Sequence, residues 1–130
     1  MRRGFCLGRF DLLHHGHIQL FKLGKKNCDH LIVGIMYQPF KSLENKKQVF
    51  LPEERKEIIS AIRYVDEVVM FSEENEVFKW LEINKPDILV TGEEYRNNQP
   101  LSKYFKQENI IYSKEKARSS EIKDKIKNWI

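Results

Sequence analysis

The sequence predicts one α/β domain with a doubly wound parallel sheet of five strands and helices on both faces. Short runs of branched and aromatic residues alternate with stretches of helical spacing along the chain, which is the pattern of repeated β-α units. The run 31–36 is apolar almost throughout, as in a strand covered on both faces. The length of 130 residues suits one core, since it is too short for two domains.

The first strand and helix are separated by a polar turn. Residues 3–7 are expected to form a strand that ends at Gly8. Residues 15–26 carry apolar side chains at helical spacing, and Asn27 and Asp29 mark the end of this predicted helix. The apolar strand described above then follows.

The segment 37–51 is polar and basic, and it is long for a loop in a compact domain, which favours a functional role. Pro52 predicts the start of the next helix, because proline suits the first helical position, and this helix is expected to end near Ile62. The later elements are expected to be a strand at 67–71, a helix at 74–83, a strand at 88–90, a polar loop at 93–100, a short helix at 101–107, a strand at 110–112, a loop at 113–118 and a last helix from Ser119 or Ser120 to Trp129.

The composition favours a protein that binds an anionic ligand. The net charge is +4 and the isoelectric point is near 9.0, without any nucleic-acid-binding motif to accompany the charge. Cys6 and Cys28 lack metal or redox spacing, so we expect reduced thiols in a cytoplasmic protein. No apolar run reaches the ~20 residues of a membrane span, and no signal peptide follows the basic start. We therefore expect neither a membrane nor a nucleic-acid partner.

The turn after the first strand is the candidate site. In a doubly wound sheet the ligand crevice lies at the carboxyl ends of the strands, and there His14 and His17 flank the start of a helix. A helix N-terminus offers unpaired N–H groups and a positive partial charge, so it suits phosphate, and Gly16 allows close approach to the backbone. A metal site is less favoured, because no third ligand is close in sequence. Two surface histidines without a ligand are the alternative interpretation.

Further segments extend this pattern. Its members are Gly8, Phe10, Asp11, His14, Gly16 and His17 at the first turn, then Arg55, the block 62–68 and the block 119–123. The pattern resembles the HxGH signature of the cytidylyltransferase-like nucleotidyltransferases, whose fold is Rossmann-like. Within that family the chain is most similar to the bacterial glycerol-3-phosphate cytidylyltransferases, and the resemblance covers nearly the whole chain.

The resemblance implies that a nucleoside triphosphate reacts with a phosphorylated alcohol and that pyrophosphate is released. The implied partners are CTP and a small polyol phosphate such as glycerol 3-phosphate, with Mg2+ as the counter-ion of the triphosphate, no dedicated metal ligands, and a homodimer as the assembly. The implied catalytic residues are His14, His17, Lys46 (or its neighbour Lys47) and Arg63. The implied nucleotide-binding residues are Gly8, Arg9, Phe10, Asp11, Gly16, Arg55, Gly92, Ser119 and Ser120.

Two other functions stay open. The segments 71–74 and 85–92 are similar to the heptose-phosphate adenylyltransferases, which would imply ATP and a sugar 1-phosphate. A non-catalytic nucleotide-binding protein is the third hypothesis, although both histidines and both arginines of the pattern are present. The first turn lacks the GxGxxG pattern of enzymes that bind dinucleotides.

The chain departs from the family pattern at positions that concern substrate recognition. Arg9 stands where the family usually has a small or hydroxyl residue. In the family, a segment that contains arginine precedes the block that corresponds to residues 119–123. Residues 113–118 stand in its place here, and Lys114 or Arg118 would have to substitute for that arginine. A Glu-Glu pair at 93–94 replaces a pair that usually contains Asp. These departures bear on the substrate more than on the reaction type.

Overall fold

The computed structural model describes residues 1–37, 49–114 and 124–128. Residues 124–128 are helical. The other strands and α-helices are β1 (Arg3–Gly8), α1 (His15–Lys26), β2 (His30–Met36), α2 (Pro52–Ser60), β3 (Glu67–Phe71), α3 (Glu74–Asn84), β4 (Ile88–Gly92) and β5 (Ile110–Ser113).

The five strands form one parallel sheet in the order β3-β2-β1-β4-β5. β1 is the central strand: its Gly8 pairs with Ile35 of β2, and its Phe5 pairs with Leu89 of β4. The chain moves outward from β1 to β3 and then returns to the other side of β1, so the strand order reverses between β1 and β4. This topology confirms the predicted doubly wound, Rossmann-like sheet.

Different helices cover the two faces of the sheet, as predicted. Side chains alternate along a strand, so Phe5 and Cys6 of β1 point to opposite faces. Phe5 belongs to a buried cluster with residues of α3, and Cys6 belongs to a second cluster with residues of α1 and α2. Desolvation raises the pKa of the Cys6 thiol to about 12, so this thiol stays protonated and unreactive. Both Cys6 and Cys28 are free, as expected.

The connection from β4 to β5 differs from the prediction. A short helix was expected over 101–107, but the chain forms two separate 3-10 turns, Ser102–Tyr104 and Gln107–Asn109. Leu101 is buried in the core at 1% exposure, which fixes the start of this segment. Phe105 then adopts an extended backbone with φ of −132°, so the helical hydrogen bonds cannot continue past the first turn.

The remaining differences concern where helices begin and end. α2 ends at Ser60, two residues before the predicted end at Ile62. The N–H of Ile62 binds the carbonyl of Ile59 at 3.1 Å, which is a tight turn and not another helical turn. The predicted ends of the last helix, Ser119 or Ser120 and Trp129, lie outside the described residues. Within the described ranges, no helix has both the length and the apolar character needed to cross a bilayer.

Candidate active site

The carboxyl ends of β1 and β4 lie side by side where the strand order reverses. β1 ends at Gly8, and the next helix begins at His15. β4, which pairs with β1, ends at Gly92. The crevice outside these strand ends is the usual ligand site of such sheets. The predicted residues that follow β1 therefore lie where this fold class binds its ligands.

His14 and His17 cap α1 through a reciprocal pair of hydrogen bonds. His14 is the N-cap residue, and its Nδ1 accepts the N–H of Gly16 at 3.0 Å. In return, the backbone N–H of His14 donates to Nδ1 of His17 at 3.2 Å. This geometry is a capping box with histidine at both of its side-chain positions. The centroids of the two rings are consequently only 3.9 Å apart.

These hydrogen bonds determine which nitrogen of each ring carries the proton. A ring nitrogen that accepts a hydrogen bond has no proton of its own. Because Nδ1 accepts in both His14 and His17, the neutral rings must carry their protons on Nε2. Each ring therefore uses one nitrogen to hold the helix start and keeps an N–H donor on the other. Two such donors beside a helix N-terminus suit phosphate oxygens.

His17 is uncharged at neutral pH. Burial, followed by the smaller repulsion from His14, lowers the pKa of His17 from 6.5 to about 3. A phosphate bound next to the ring would act in the opposite direction, because a nearby negative charge favours the protonated form. His17 can therefore be a neutral donor in the free protein and gain positive character when an anion is bound.

Phe10 packs against His17 from a strained backbone position. Its φ is +50°, in the left-handed region that favours glycine. Its ring is 6% exposed and meets His17 edge to face, with centroids 5.2 Å apart. A Cβ built on Gly8 would lie 2.7 Å from Cζ of Phe10, so the glycine makes room for this ring. The Phe10 side chain thus shapes the turn, and a backbone contact of Gly8 or Phe10 with nucleotide stays a prediction.

Asp11 connects the first turn to the chain that precedes α2. The carboxylate is 5% exposed, and it accepts the N–H of Val49 at 2.7 Å and that of Phe50 at 2.7 Å. The guanidinium of Arg55 lies 3.6 Å from the same carboxylate. The sequence analysis assigned Asp11 to the nucleotide, and it missed these two amides because nothing in the sequence pairs them with Asp11.

Arg55 is buried at 1% exposure and holds three backbone carbonyls together. Its Nε donates to Phe50, and its Nη1 donates to Met36 at 3.2 Å and to Arg9 at 3.4 Å. It therefore joins the carboxyl ends of β1 and β2 to the start of α2. Desolvation lowers the pKa of Arg55, and the Asp11 carboxylate opposes this shift. A direct contact between Arg55 and nucleotide, which the resemblance implied, stays a prediction.

The β4 side of the crevice carries charged and aromatic groups. A Cβ on Gly92 would collide with the carboxylate of Glu94, so the glycine allows that side chain to fold back over the strand end. Arg96 forms two hydrogen bonds to Glu93, at 2.6 and 2.8 Å, and its guanidinium lies 4.2 Å from the centroid of Tyr112. Sequence reasoning missed Arg96, although the three-residue spacing from Glu93 indicates an ion pair.

Arg63 does not lie at this site. It follows α2, is exposed, and donates to the Tyr64 hydroxyl at 3.1 Å. The chain then enters β3 at Glu67, whose partner Ile32 is near the start of β2. Arg63 is thus at the amino edge of the sheet, whereas the histidines are at the carboxyl edge, about 20 Å away along a strand of six residues. Within one chain Arg63 is therefore separated from the histidines, and the catalytic role that the resemblance implied for it stays a prediction.

Several predicted residues lie outside the residues that the structure describes. They are Lys46, Lys47, Arg118, Ser119 and Ser120. Their assignment to the phosphates stays a prediction.

The described residues include no dedicated metal site, and the expected Mg2+ stays a prediction. In these ranges no three His, Cys, Asp or Glu side chains are grouped so that they could hold a metal ion. The buried carboxylate nearest the histidines in sequence, Asp11, is already engaged by two amides and by Arg55. Mg2+ that binds with a triphosphate is commonly held mainly by phosphate oxygens and water.

The chain matches a protein-family model and is similar in sequence to several known proteins. A family model described as "Cytidylyltransferase-like" matches residues 5–127. The bifunctional protein HldE of Helicobacter pylori (strain HPAG1) is 35% identical over 126 residues, which are 95% of this chain and 27% of that protein. The glycerol-3-phosphate cytidylyltransferase of Staphylococcus aureus is 39% identical over 69 residues, which are 53% of this chain and 52% of that protein.

The chain is also similar to an FAD synthase and to a protein of known crystal structure. The FAD synthase of Ferroglobus placidus is 33% identical over 71% of this chain and 59% of that protein. The matches thus span between about a quarter and three fifths of these relatives. The crystal structure of the lipopolysaccharide core biosynthesis protein from Thermoplasma volcanium superposes with a TM-score of 0.69 and 26% identity, over 90% of this chain and 99% of that one.

Proposed function

Because the chain belongs to the cytidylyltransferase-like family, we propose that it is a nucleotidyltransferase that uses CTP and a small polyol phosphate such as glycerol 3-phosphate. The products are a CDP-alcohol and pyrophosphate. The observation that carries this proposal is the His14–His17 pair, which presents two Nε2–H donors beside the N-terminus of α1. The similarity to the staphylococcal glycerol-3-phosphate cytidylyltransferase supports the choice of substrates.

The reaction needs positioning and charge stabilisation and no covalent enzyme intermediate. An oxygen of the acceptor phosphate attacks the α-phosphorus in line, the bond from that phosphorus to the β-phosphate oxygen breaks, and pyrophosphate leaves. Negative charge on the phosphates grows around the reacting centre. His14 and His17 donate hydrogen bonds to these oxygens, and the backbone around them is already fixed before substrate binds.

The other predicted groups would complete the triphosphate site. Lys46, with Lys47 as the alternative, would add a positive charge, and Ser119 and Ser120 would donate hydroxyl hydrogen bonds to the terminal phosphates. Mg2+, when bound, would neutralise charge on the phosphates and on the leaving pyrophosphate. We propose a homodimer and a cytoplasmic location, on the resemblance alone.

An adenylyltransferase that uses ATP and a sugar 1-phosphate is the second candidate. The HldE of Helicobacter pylori matches 95% of this chain, whereas the glycerol-3-phosphate cytidylyltransferase matches 53%. The solved neighbour is a lipopolysaccharide core biosynthesis protein. This breadth of similarity supports the second candidate, and the reaction at the histidines would be the same.

Pyrophosphate release with each pair of substrates tests the proposal. The protein is incubated with Mg2+, with each of the common nucleoside triphosphates, and with a panel of polyol phosphates and sugar 1-phosphates. Turnover with CTP and a polyol phosphate supports the first candidate, and turnover with ATP and a sugar 1-phosphate supports the second. Nucleotide binding without pyrophosphate release for any pair would contradict both and favour a non-catalytic nucleotide-binding protein.

A further inference from the structure

Phe10 occupies a backbone position that would be easier for another residue. Its φ of +50° costs conformational free energy for any residue with a Cβ, and glycine or asparagine would adopt it more readily. A large aromatic side chain at such a position must make contacts that offset this cost. The contacts of the Phe10 ring therefore indicate why it is there.

The ring of Phe10 lies between the end of β1 and the first turn of α1. Gly8 leaves room for the far edge of the ring, since a Cβ there would lie 2.7 Å from Cζ. The ring meets His17 with centroids 5.2 Å apart at 83°, and it meets Phe21 with centroids 5.2 Å apart at 62°. It is 6% exposed, so it is buried and cannot offer its face to a base. These contacts connect the strained turn to His17.

From this arrangement we propose that Phe10 is a positioning residue for His17, a role that rests on the proposed function. His17 is held on one side by the Phe10 ring, which is nearly perpendicular to it, on another by the His14 ring, and at Nδ1 by the N–H of His14. These three contacts leave the ring little freedom to rotate. Phe10 thereby sets where the Nε2–H donor lies, and its buried ring removes water from one side of the imidazole.

The charge state of His17 follows from the same packing. Burial is the larger cause of its lowered pKa, and Phe10 supplies part of that burial. The titratable group that bears on His17 is His14, from the start of α1. The turn after β1 carries the charged residues Arg9 and Asp11, and Asp11 pairs with the buried Arg55 of α2. Loss of the Phe10 ring would admit water and let the pKa of His17 rise.

The test compares Phe10→Leu with Phe21→Leu. Both remove an aromatic ring from the same buried cluster, but the ring contact with His17 is made by Phe10, whereas the ring of Phe21 contacts Phe10. Histidine side-chain NMR reports the pKa and the protonated nitrogen of His17, and pyrophosphate release reports kcat and KM. We expect Phe10→Leu to raise the pKa of His17 by one unit or more and to lower kcat about tenfold, with KM for nucleotide nearly unchanged. Phe21→Leu should lower thermal stability and leave the pKa and tautomer of His17 unchanged.

Equal effects of the two substitutions on His17 and on kcat would overturn the proposal, as would an unchanged His17 in Phe10→Leu. If Phe10→Leu does not fold, Phe10→Met is measured in the same way, because its flexible side chain fills more of the volume. The NMR comparison needs no turnover, so it decides the role of Phe10 even if the proposed reaction fails. If the proposed reaction fails, wild-type protein shows no pyrophosphate release. The pKa and tautomer of His17 can still be compared between Phe10→Leu and Phe21→Leu, and a difference between the two variants supports the role of Phe10.

Discussion

Replacement of His14 by asparagine or by alanine separates its two functions. The His14 side chain caps α1 by accepting the N–H of Gly16 through Nδ1, and it keeps a donor on Nε2. Asparagine is a strong N-cap residue whose side-chain oxygen can accept the same N–H, but it has no group at the position of Nε2. Alanine removes both. The bond to His17 survives in both variants, because its donor is the backbone N–H of His14.

The expected magnitudes differ for the two variants. Loss of an N-cap side chain costs about 1 kcal/mol, which for a domain of 130 residues lowers Tm by about 4 °C. His14→Ala should show this loss, whereas His14→Asn should stay within about 0.5 kcal/mol of the wild type. Loss of one donor to the reacting phosphate should lower kcat by about a hundredfold or more in both variants.

The assay pairs urea unfolding with pyrophosphate release. His15→Ala is the matched control, because His15 lies in the same turn, is exposed, and bonds only the side chain of Gln19 among the hydrogen bonds described for it. This control should keep both stability and kcat. An active His14→Asn variant, with kcat within a few-fold of the wild type, would refute the donor role of His14. An unchanged stability of His14→Ala would refute the capping role.

Three further predictions follow from the surrounding contacts. Asp11→Asn should lower the free energy of unfolding by about 3 kcal/mol, because it leaves the charge of buried Arg55 without its counter-charge. Chemical denaturation measures this loss, and an unchanged free energy of unfolding would contradict the pairing. His17 has a folded-state pKa of about 3 and an unfolded value of 6.5, so the unfolded chain binds the proton first and stability falls as pH drops below 6.5. This single group should cost up to roughly 2 kcal/mol at pH 5, and the pH-dependent loss should be smaller in His17→Gln. Arg63→Gln should change kcat by no more than a few-fold if one chain holds the whole site, since Arg63 is at the opposite edge of the sheet. A hundredfold loss would instead support the catalytic role that the resemblance implied and would require that another copy of the chain supplies Arg63.

The sheet could be predicted because its signals are local and strong. The apolar run of β2 has no polar interruption, and a short run of this kind, rich in branched residues, is typical of a strand covered on both faces. The segment that starts at Leu101 was misassigned for the opposite reason. Its apolar residues Leu101, Tyr104 and Phe105 have helical spacing, but burial of Leu101 and the extended backbone at Phe105 decide its structure, and neither is encoded in the spacing.

The candidate site could be proposed from the sequence, but the contacts of all its residues could not. His14 and His17 could be found because their three-residue spacing falls at a strand-to-helix turn. The burial of Arg55 could not, because an arginine on a helix is usually exposed and its partners Phe50, Met36 and Arg9 come from three separate segments. The spacing of residues along the sequence does not predict contacts between distant segments. These contacts decide whether a charged side chain faces a ligand or binds backbone carbonyls.

The central claim is that the paired histidines support nucleotidyl transfer to a phosphorylated acceptor. Phosphorus NMR of the complete reaction tests it most directly, with wild-type protein, Mg2+, the active nucleotide and its acceptor, beside an identical sample with His17→Ala. The account predicts a new diphosphate diester and pyrophosphate in equal amounts from the wild type and neither from a folded His17→Ala variant. Equal product from both proteins, or nucleotide cleavage without the diphosphate diester, would contradict it.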